Sequence, residues 1–155
     1  MLYHFLKNRA FLALLGGFAL LLTACTKEYV CPIPNVDLFS FNETMPAANI
    51  MTVKVRNSGC DSKGRCGYNG HGIIVYHYLD GEVHAFDATC PDSEECIASS
   101  AVKFDGDGKV TATCGRCGSQ YYLRDGKHLK KKILLRPYNV GRIPNTEEQY
   151  RVSNF

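Results

Sequence analysis

From Met51 onward the chain is a succession of short segments with strand-like composition, separated by turn residues. No other feature limits its fold as strongly. "MTVKVR" (51–56) alternates, "GIIVYHYL" (72–79) is β-branched and aromatic, and "EVHAFDA" (82–88) alternates again. Asp80-Gly81 between the last two is a strong hairpin signal. "AVKFDGDGKVTAT" (101–113) repeats the form with a turn at Asp105 to Gly108, "QYYLRDGK" (120–127) turns at Asp125-Gly126, and "KKILLRPYNV" and "EQYRVSN" offer closing strands. No stretch beyond the leader shows a helical period. The pattern predicts a small all-β domain of short antiparallel strands, a sandwich or barrel.

The first 25 residues carry an address. Lys7 and Arg9 precede an apolar run from Ala10 to Leu22, the arrangement of a signal peptide. As a helix that run spans only ~20 Å, short of the ~30 Å a bilayer core requires. Leu22-Thr23-Ala24-Cys25 resembles a bacterial lipobox. In that family the chain is cut before the cysteine, whose sulfur and new amino group are acylated, and two or more acyl chains anchor stably. The expected organisation is a signal peptide over 1–24, a lipid-anchored tether over 25–50 beginning at Cys25, and a β domain over 51–155. The expected place is the cell envelope, at the outer membrane. Thr26-Lys27-Glu28 partly resembles a surface-sorting signal. The tether has three prolines and no clear period, and its apolar residues could also pack on the domain as an irregular edge.

The chain beyond the leader holds 16 basic and 15 acidic side chains. A body so nearly neutral gives no electrostatic case for nucleic-acid binding. The membrane, through the N-terminal lipid, is the expected partner, and a protein or glycan partner is left unidentified. Seven cysteines follow Cys25, in a compartment where thiols are oxidised or held by metal. The number is odd, and Cys31 is the expected loner. Cys60 and Cys66 bracket five turn-forming residues and read as a local disulfide, with a metal half-site as the alternative.

Two further loops carry cysteine pairs: "DATCPDSEEC" with Cys90 and Cys96, and "CGRCGS" with Cys114 and Cys117. Each leaves the end of a strand. In this the sequence resembles the Rieske iron–sulfur domains, all-β proteins whose two loops, Cys-x-His and Cys-x-x-His-Gly-Ser-x-Tyr, hold a [2Fe–2S] cluster. Cys90-Pro91 and Cys114-Gly115-Arg116-Cys117-Gly118-Ser119-Gln120-Tyr121 follow that frame, and the Asp125-Gly126 turn and "LLRPY" continue it. The likeness covers roughly 72–138. It departs where the chemistry lies: Asp92 and Cys117 stand at the two histidine positions, and "KHLKKK" replaces the segment that covers the cluster. Cys90 and Cys114 alone carry over as ligands. Ser119 and Tyr121 match residues that hydrogen-bond the cluster sulfurs in that family.

Three chemistries compete for Cys90, Cys96, Cys114 and Cys117. A [2Fe–2S] centre with four thiolates would shift from the Rieske range of about −150 to +300 mV towards about −400 mV. It would also need export as a loaded, folded protein, whereas Lys7-Asn8-Arg9 lacks the twin arginines of that route. Zinc fits Cys-x-x-Cys-Gly, a knuckle that lets two sulfurs chelate one ion, with the second pair more widely spaced. Disulfides Cys90–Cys114 and Cys96–Cys117 would tie the loops, and some Rieske proteins carry an extra disulfide joining them, with a cysteine near the position of Cys96. A thiol–disulfide enzyme would place its nucleophile at a helix N-terminus, whereas "GSQYYLRDG" predicts strand and turn.

No catalytic constellation is legible. His71, His77 and His84 read as strand residues, Asp92, Glu94 and Glu95 as a solvated loop tip, and Lys127, Lys130, Lys131, Lys132 and Arg136 as a basic hairpin face. The expected function is therefore a lipid-anchored Rieske-like protein with a structural site, disulfide or zinc, that binds or scaffolds. The alternative is a [2Fe–2S] electron carrier with unusual ligands.

Overall fold

The computed structural model describes residues 28–46, 51–106 and 108–155. The leader and Cys25 lie outside them. Among the described residues nine strands, a single 3-10 turn (Tyr68–Gly70) and one short α-helix occur. In chain order the strands and the α-helix are β1 (Ser40–Thr44), β2 (Thr52–Arg56), β3 (Ile73–His77), β4 (Val83–Asp87), α1 (Glu94–Ser99), β5 (Val102–Phe104), β6 (Thr111–Cys114), β7 (Gln120–Tyr122), β8 (Pro137–Arg142) and β9 (Gln149–Ser153). Six strands form a curled sheet in the order β1-β9-β8-β4-β3-β2, and β5-β6-β7 form a second sheet. The all-β expectation holds, with every strand pair antiparallel.

The centre of the fold is β3, all five of whose residues are buried. Its two faces serve two cores. Ile74 and Tyr76 join Phe86, Ala112, Tyr121, Leu123 and Leu135 between the two sheets. Ile73 and Val75 pack on the other side with Phe39, Phe41, Met45, Tyr138 and Val152. A strand covered on both faces needs no polar alternation, which is why "IIVYH" reads as an unbroken run.

Two expectations are corrected. Residues 28–46, assigned to the tether with packing on the domain as the other reading, follow that other reading: β1 pairs with β9 over five residues, and Ile33, Phe39, Phe41 and Met45 are buried. Val30 also bridges to Ile133, and the Arg136 guanidinium donates to the Ile33 carbonyl. Apolar burial of this kind is worth about 1.5–3 kcal/mol per large side chain, and it overrides the extended, proline-marked look of the segment. The second correction is α1, where no helix was expected. Ser93 caps it, its hydroxyl accepting from the Cys96 amide at 3.2 Å. Glu94 and Glu95 occupy its first turn, where carboxylates favour the helix dipole.

The loop that leaves β4 towards Cys90 is held by a buried carboxylate. Asp87 accepts from the Tyr68 amide at 2.6 Å, the Thr89 amide at 2.8 Å and the Tyr138 hydroxyl at 2.5 Å. Gly67 makes room for it: a Cβ there would lie 2.3 Å from the Gly72 carbonyl oxygen, and its φ is +71°. Gly126 closes the β7 turn the same way, since a Cβ would meet the Phe86 ring at 2.7 Å.

Candidate metal centre

Two connections bring the four cysteines together. Cys90 follows the end of β4, and Cys96 lies one turn into α1, so the two protrude from opposite ends of one loop. That loop is closed behind them by the Cys90 amide donating to the Ser100 carbonyl at 2.9 Å. Cys114 ends β6, and Cys117 stands in the turn to β7. The Gly118 amide donates to the Cys114 carbonyl and the Cys114 amide to the Ser119 carbonyl, both at 2.9 Å. Gly118, at φ +71°, supplies the left-handed residue this knuckle requires. Arg116 ties the turn to α1, reaching Ser99 at 2.8 Å and Glu95 at 3.2 Å.

The result is one cluster. The sulfurs of Cys90, Cys96, Cys114 and Cys117 all lie within 4.8 Å of one another. The first three are buried and Cys117 is exposed. Four sulfurs at ~2.3 Å from one tetrahedral ion stand about 3.8 Å apart, and Cys90 Sγ and Cys117 Sγ are 3.7 Å apart. The donor set therefore fits a single thiophilic ion. A [2Fe–2S] core would place one sulfur pair on each of two irons and spread the pairs further than one ion does.

The surroundings treat the four thiols unequally. Burial pushes the Cys90 thiol far up, against hydrogen bonds from the Asp92 amide and Tyr121. Burial also raises Cys96, partly offset by Ser93. At Cys117 burial is outweighed by hydrogen bonds from Ser119 and from the Cys114 and Cys90 thiols, and the thiol falls to about 7. Tyr121 is fully buried with its hydroxyl 3.6 Å from Cys90 Sγ. Ser119 and Tyr121 thus lie against sulfur.

Asp92 takes a different part from a ligand. Its carboxylate accepts from the Ser119 hydroxyl at 2.8 Å and from the Lys131 ammonium, and chiefly Lys131 holds it below the usual carboxylate range. Beside them His128 Nδ1 accepts the Lys130 and Lys131 amides, both at 2.9 Å, and its ring meets Tyr121 edge to face at 5.1 Å. Sequence reasoning missed this link between the two loops and the lysine hairpin. Asp92 and Lys131 are 39 positions apart, and no local signal announces the pair.

The other sequence candidates lie elsewhere. Cys60 and Cys66 are joined by a disulfide with Cα atoms 5.0 Å apart, and Cys31 is a free, half-buried thiol. Glu95 pairs with Arg116, so the acidic loop converges on no cation. His71 bonds Thr89 at 3.1 Å, and His77 is buried in β3. His84 approaches Glu82 at 3.5 Å. None of the three joins the cysteines.

No protein-family model and no curated protein matches the chain. Among solved structures, the small subunit of an NADH-dependent nitrite reductase from Mycobacterium tuberculosis matches at 16% identity. The match covers 77% of this chain and 98% of that one with a TM-score of 0.41, a likeness too loose to carry an inference.

Proposed function

We propose that this chain is a lipid-anchored cell-envelope protein whose Rieske-like β domain is closed around one metal ion, and that it binds or scaffolds rather than catalyses. Cys90, Cys96, Cys114 and Cys117 would hold the ion, and zinc is the ion proposed. The observation that carries the reading is the gathering of four sulfurs within 4.8 Å from two separate loops. Zinc in four thiolates has no redox chemistry and no open position for substrate, so the site is structural. It would lock the β6–β7 turn to the loop holding α1. The hydroxyls of Tyr121 and Ser93 and the Ser119 amide would orient the sulfurs and spread their charge.

The exposure of Cys117 favours a second reading. The same donor set accepts iron, and a ligand at the surface gives an electron a short exit, so an iron-loaded form would be an electron carrier.

The test is native intact mass and metal analysis of the full-length lipoprotein, extracted from its membrane without oxygen. One zinc per chain is the expected result. Iron would install the electron-carrier reading. A metal-free mass lighter by two protons for each of two further bonds would make the four cysteines staples and overturn the metal site. An unmodified Cys25 would overturn the anchor.

A further inference from the structure

The basic residues are not spread evenly. Residues 127–136 carry Lys127, Lys130, Lys131, Lys132 and Arg136 and no acidic residue. The rest of the chain beyond the leader holds 11 basic side chains against 15 acidic ones. Two carboxylates stand against this run, Asp125 on Lys127 at 2.8 Å and Asp92 on Lys131, and the five cations outnumber them, so this end of the molecule is basic. At that end the chain doubles back, His128 donating its amide to Ile133 at 3.0 Å, so that Leu129 to Lys132 form an exposed tip.

The N-terminal segment arrives at the same place. Val30 bridges to Ile133, its amide bonding the Lys132 carbonyl and its carbonyl the Leu134 amide, both at 3.1 Å. Tyr29 lies beside it with Lys127 Nζ 5.2 Å from its ring. Tyr29, Val30 and Leu129 are exposed at 39%, 59% and 52%. Four residues separate Val30 from Cys25, and fully extended they reach about 17 Å between Cα atoms. A body tied by lipid at Cys25 cannot leave the bilayer surface by more than that, and the end nearest the lipid is the basic one.

We propose that the 127–134 hairpin and the adjoining Tyr29–Val30 segment lie against an anionic phospholipid leaflet. Lysines supply the attraction, while Tyr29, Val30 and Leu129 offer the aromatic and apolar contacts such an interface takes up. The lipid would hold the chain at the membrane, and the basic patch would turn this face towards the leaflet. The orientation rests on the proposed lipid at Cys25; the choice of partner rests on the charges alone. With the hairpin on the leaflet, Lys131 joins that surface to Asp92 and the cysteine centre.

The test reconstitutes the full-length lipoprotein in vesicles of phosphatidylcholine with or without one-third phosphatidylglycerol. It measures the acylation rate of each lysine by mass spectrometry. On anionic vesicles Lys130 and Lys132 should react at least tenfold more slowly than on neutral ones, with the protection lost in high salt and Lys63 unchanged. Equal rates on the two surfaces overturn the proposal. The same digests weigh the peptide that begins at Cys25. If it carries no lipid, the anchor reading falls. Sedimentation of the unlipidated chain with anionic vesicles then decides the basic face: binding weakened about 25-fold by Lys130→Gln with Lys132→Gln supports it, at roughly fivefold per charge, and no binding overturns it.

Discussion

At the scale of single residues the cysteine centre is defined by protons. Burial keeps the Cys90 and Cys96 thiols protonated well above neutral pH, whereas Ser119 holds Cys117 at about 7. A bound ion takes all four as thiolates, so binding must expel the protons of at least Cys90 and Cys96. The sign follows directly: affinity rises with pH, by about a hundredfold per unit between pH 7.5 and 8.5 if two protons leave. Below pH 7 the Cys117 proton joins them and the slope steepens. Competition against a chromophoric chelator across that range measures it, and a slope near zero would mean that these sulfurs are not the ligands. Asp92 stays ionised throughout, because Lys131 holds its carboxyl low. Its pairing with Ser119 and Lys131 is therefore constant while the thiols titrate.

At the scale of elements, the Cys60–Cys66 loop and the cysteine centre are separate devices. The loop is already shaped by Asp61, whose carboxylate accepts the Lys63 amide at 2.9 Å and the Arg65 amide at 2.7 Å. Its disulfide closes a short ring, worth about 2 kcal/mol on the chain-entropy account. Cys60→Ala with Cys66→Ala should lower stability by about that amount in denaturant unfolding and leave metal content at one per chain. A loss of metal would instead make the pair part of the centre. The same contrast explains what the sequence revealed. Strands β2 to β9 were legible because period-two patterns, the β-branched and aromatic run of β3 and Asp-Gly turns are local. Helix α1 was not, since six residues cannot display a 3.6-residue period and its capping serine is followed at the third position by Cys96, not by the glutamate of a capping box. Strand β1 offers one core side chain, Phe41, in "SFNET", too little for a period to show. The four cysteines stood out by spacing, yet their convergence depends on Arg116 reaching α1 and Lys131 reaching Asp92, contacts that only folding creates.

At the scale of the whole molecule, the N-terminal segment completes the fold. Phe39, Phe41 and Met45 fill the core on the far side of β3, Ile33 is buried with its carbonyl on Arg136, and β1 covers the edge of β9. Removing four such side chains forfeits about 6–12 kcal/mol at about 1.5–3 kcal/mol each, which matches the entire stability of a typical domain, about 5–15 kcal/mol. It would also open the row of β9 hydrogen bonds that β1 satisfies. A chain beginning at Met51, the boundary that periodicity alone selects, should therefore fail to fold cooperatively, whereas one beginning at Glu28 should melt in a single transition. Circular dichroism melts of the two decide it. A cooperative transition from the shorter chain would show that the segment merely lies on a self-sufficient body. With the proposed lipid at Cys25, it would also lengthen the free tether and loosen the hold of that lipid on the basic end. If Cys25 carries the proposed lipid, cooperative folding and a short anchor have one cause: the segment that supplies Phe39, Phe41 and Met45 to the core is the one that would keep the domain within about 17 Å of that lipid.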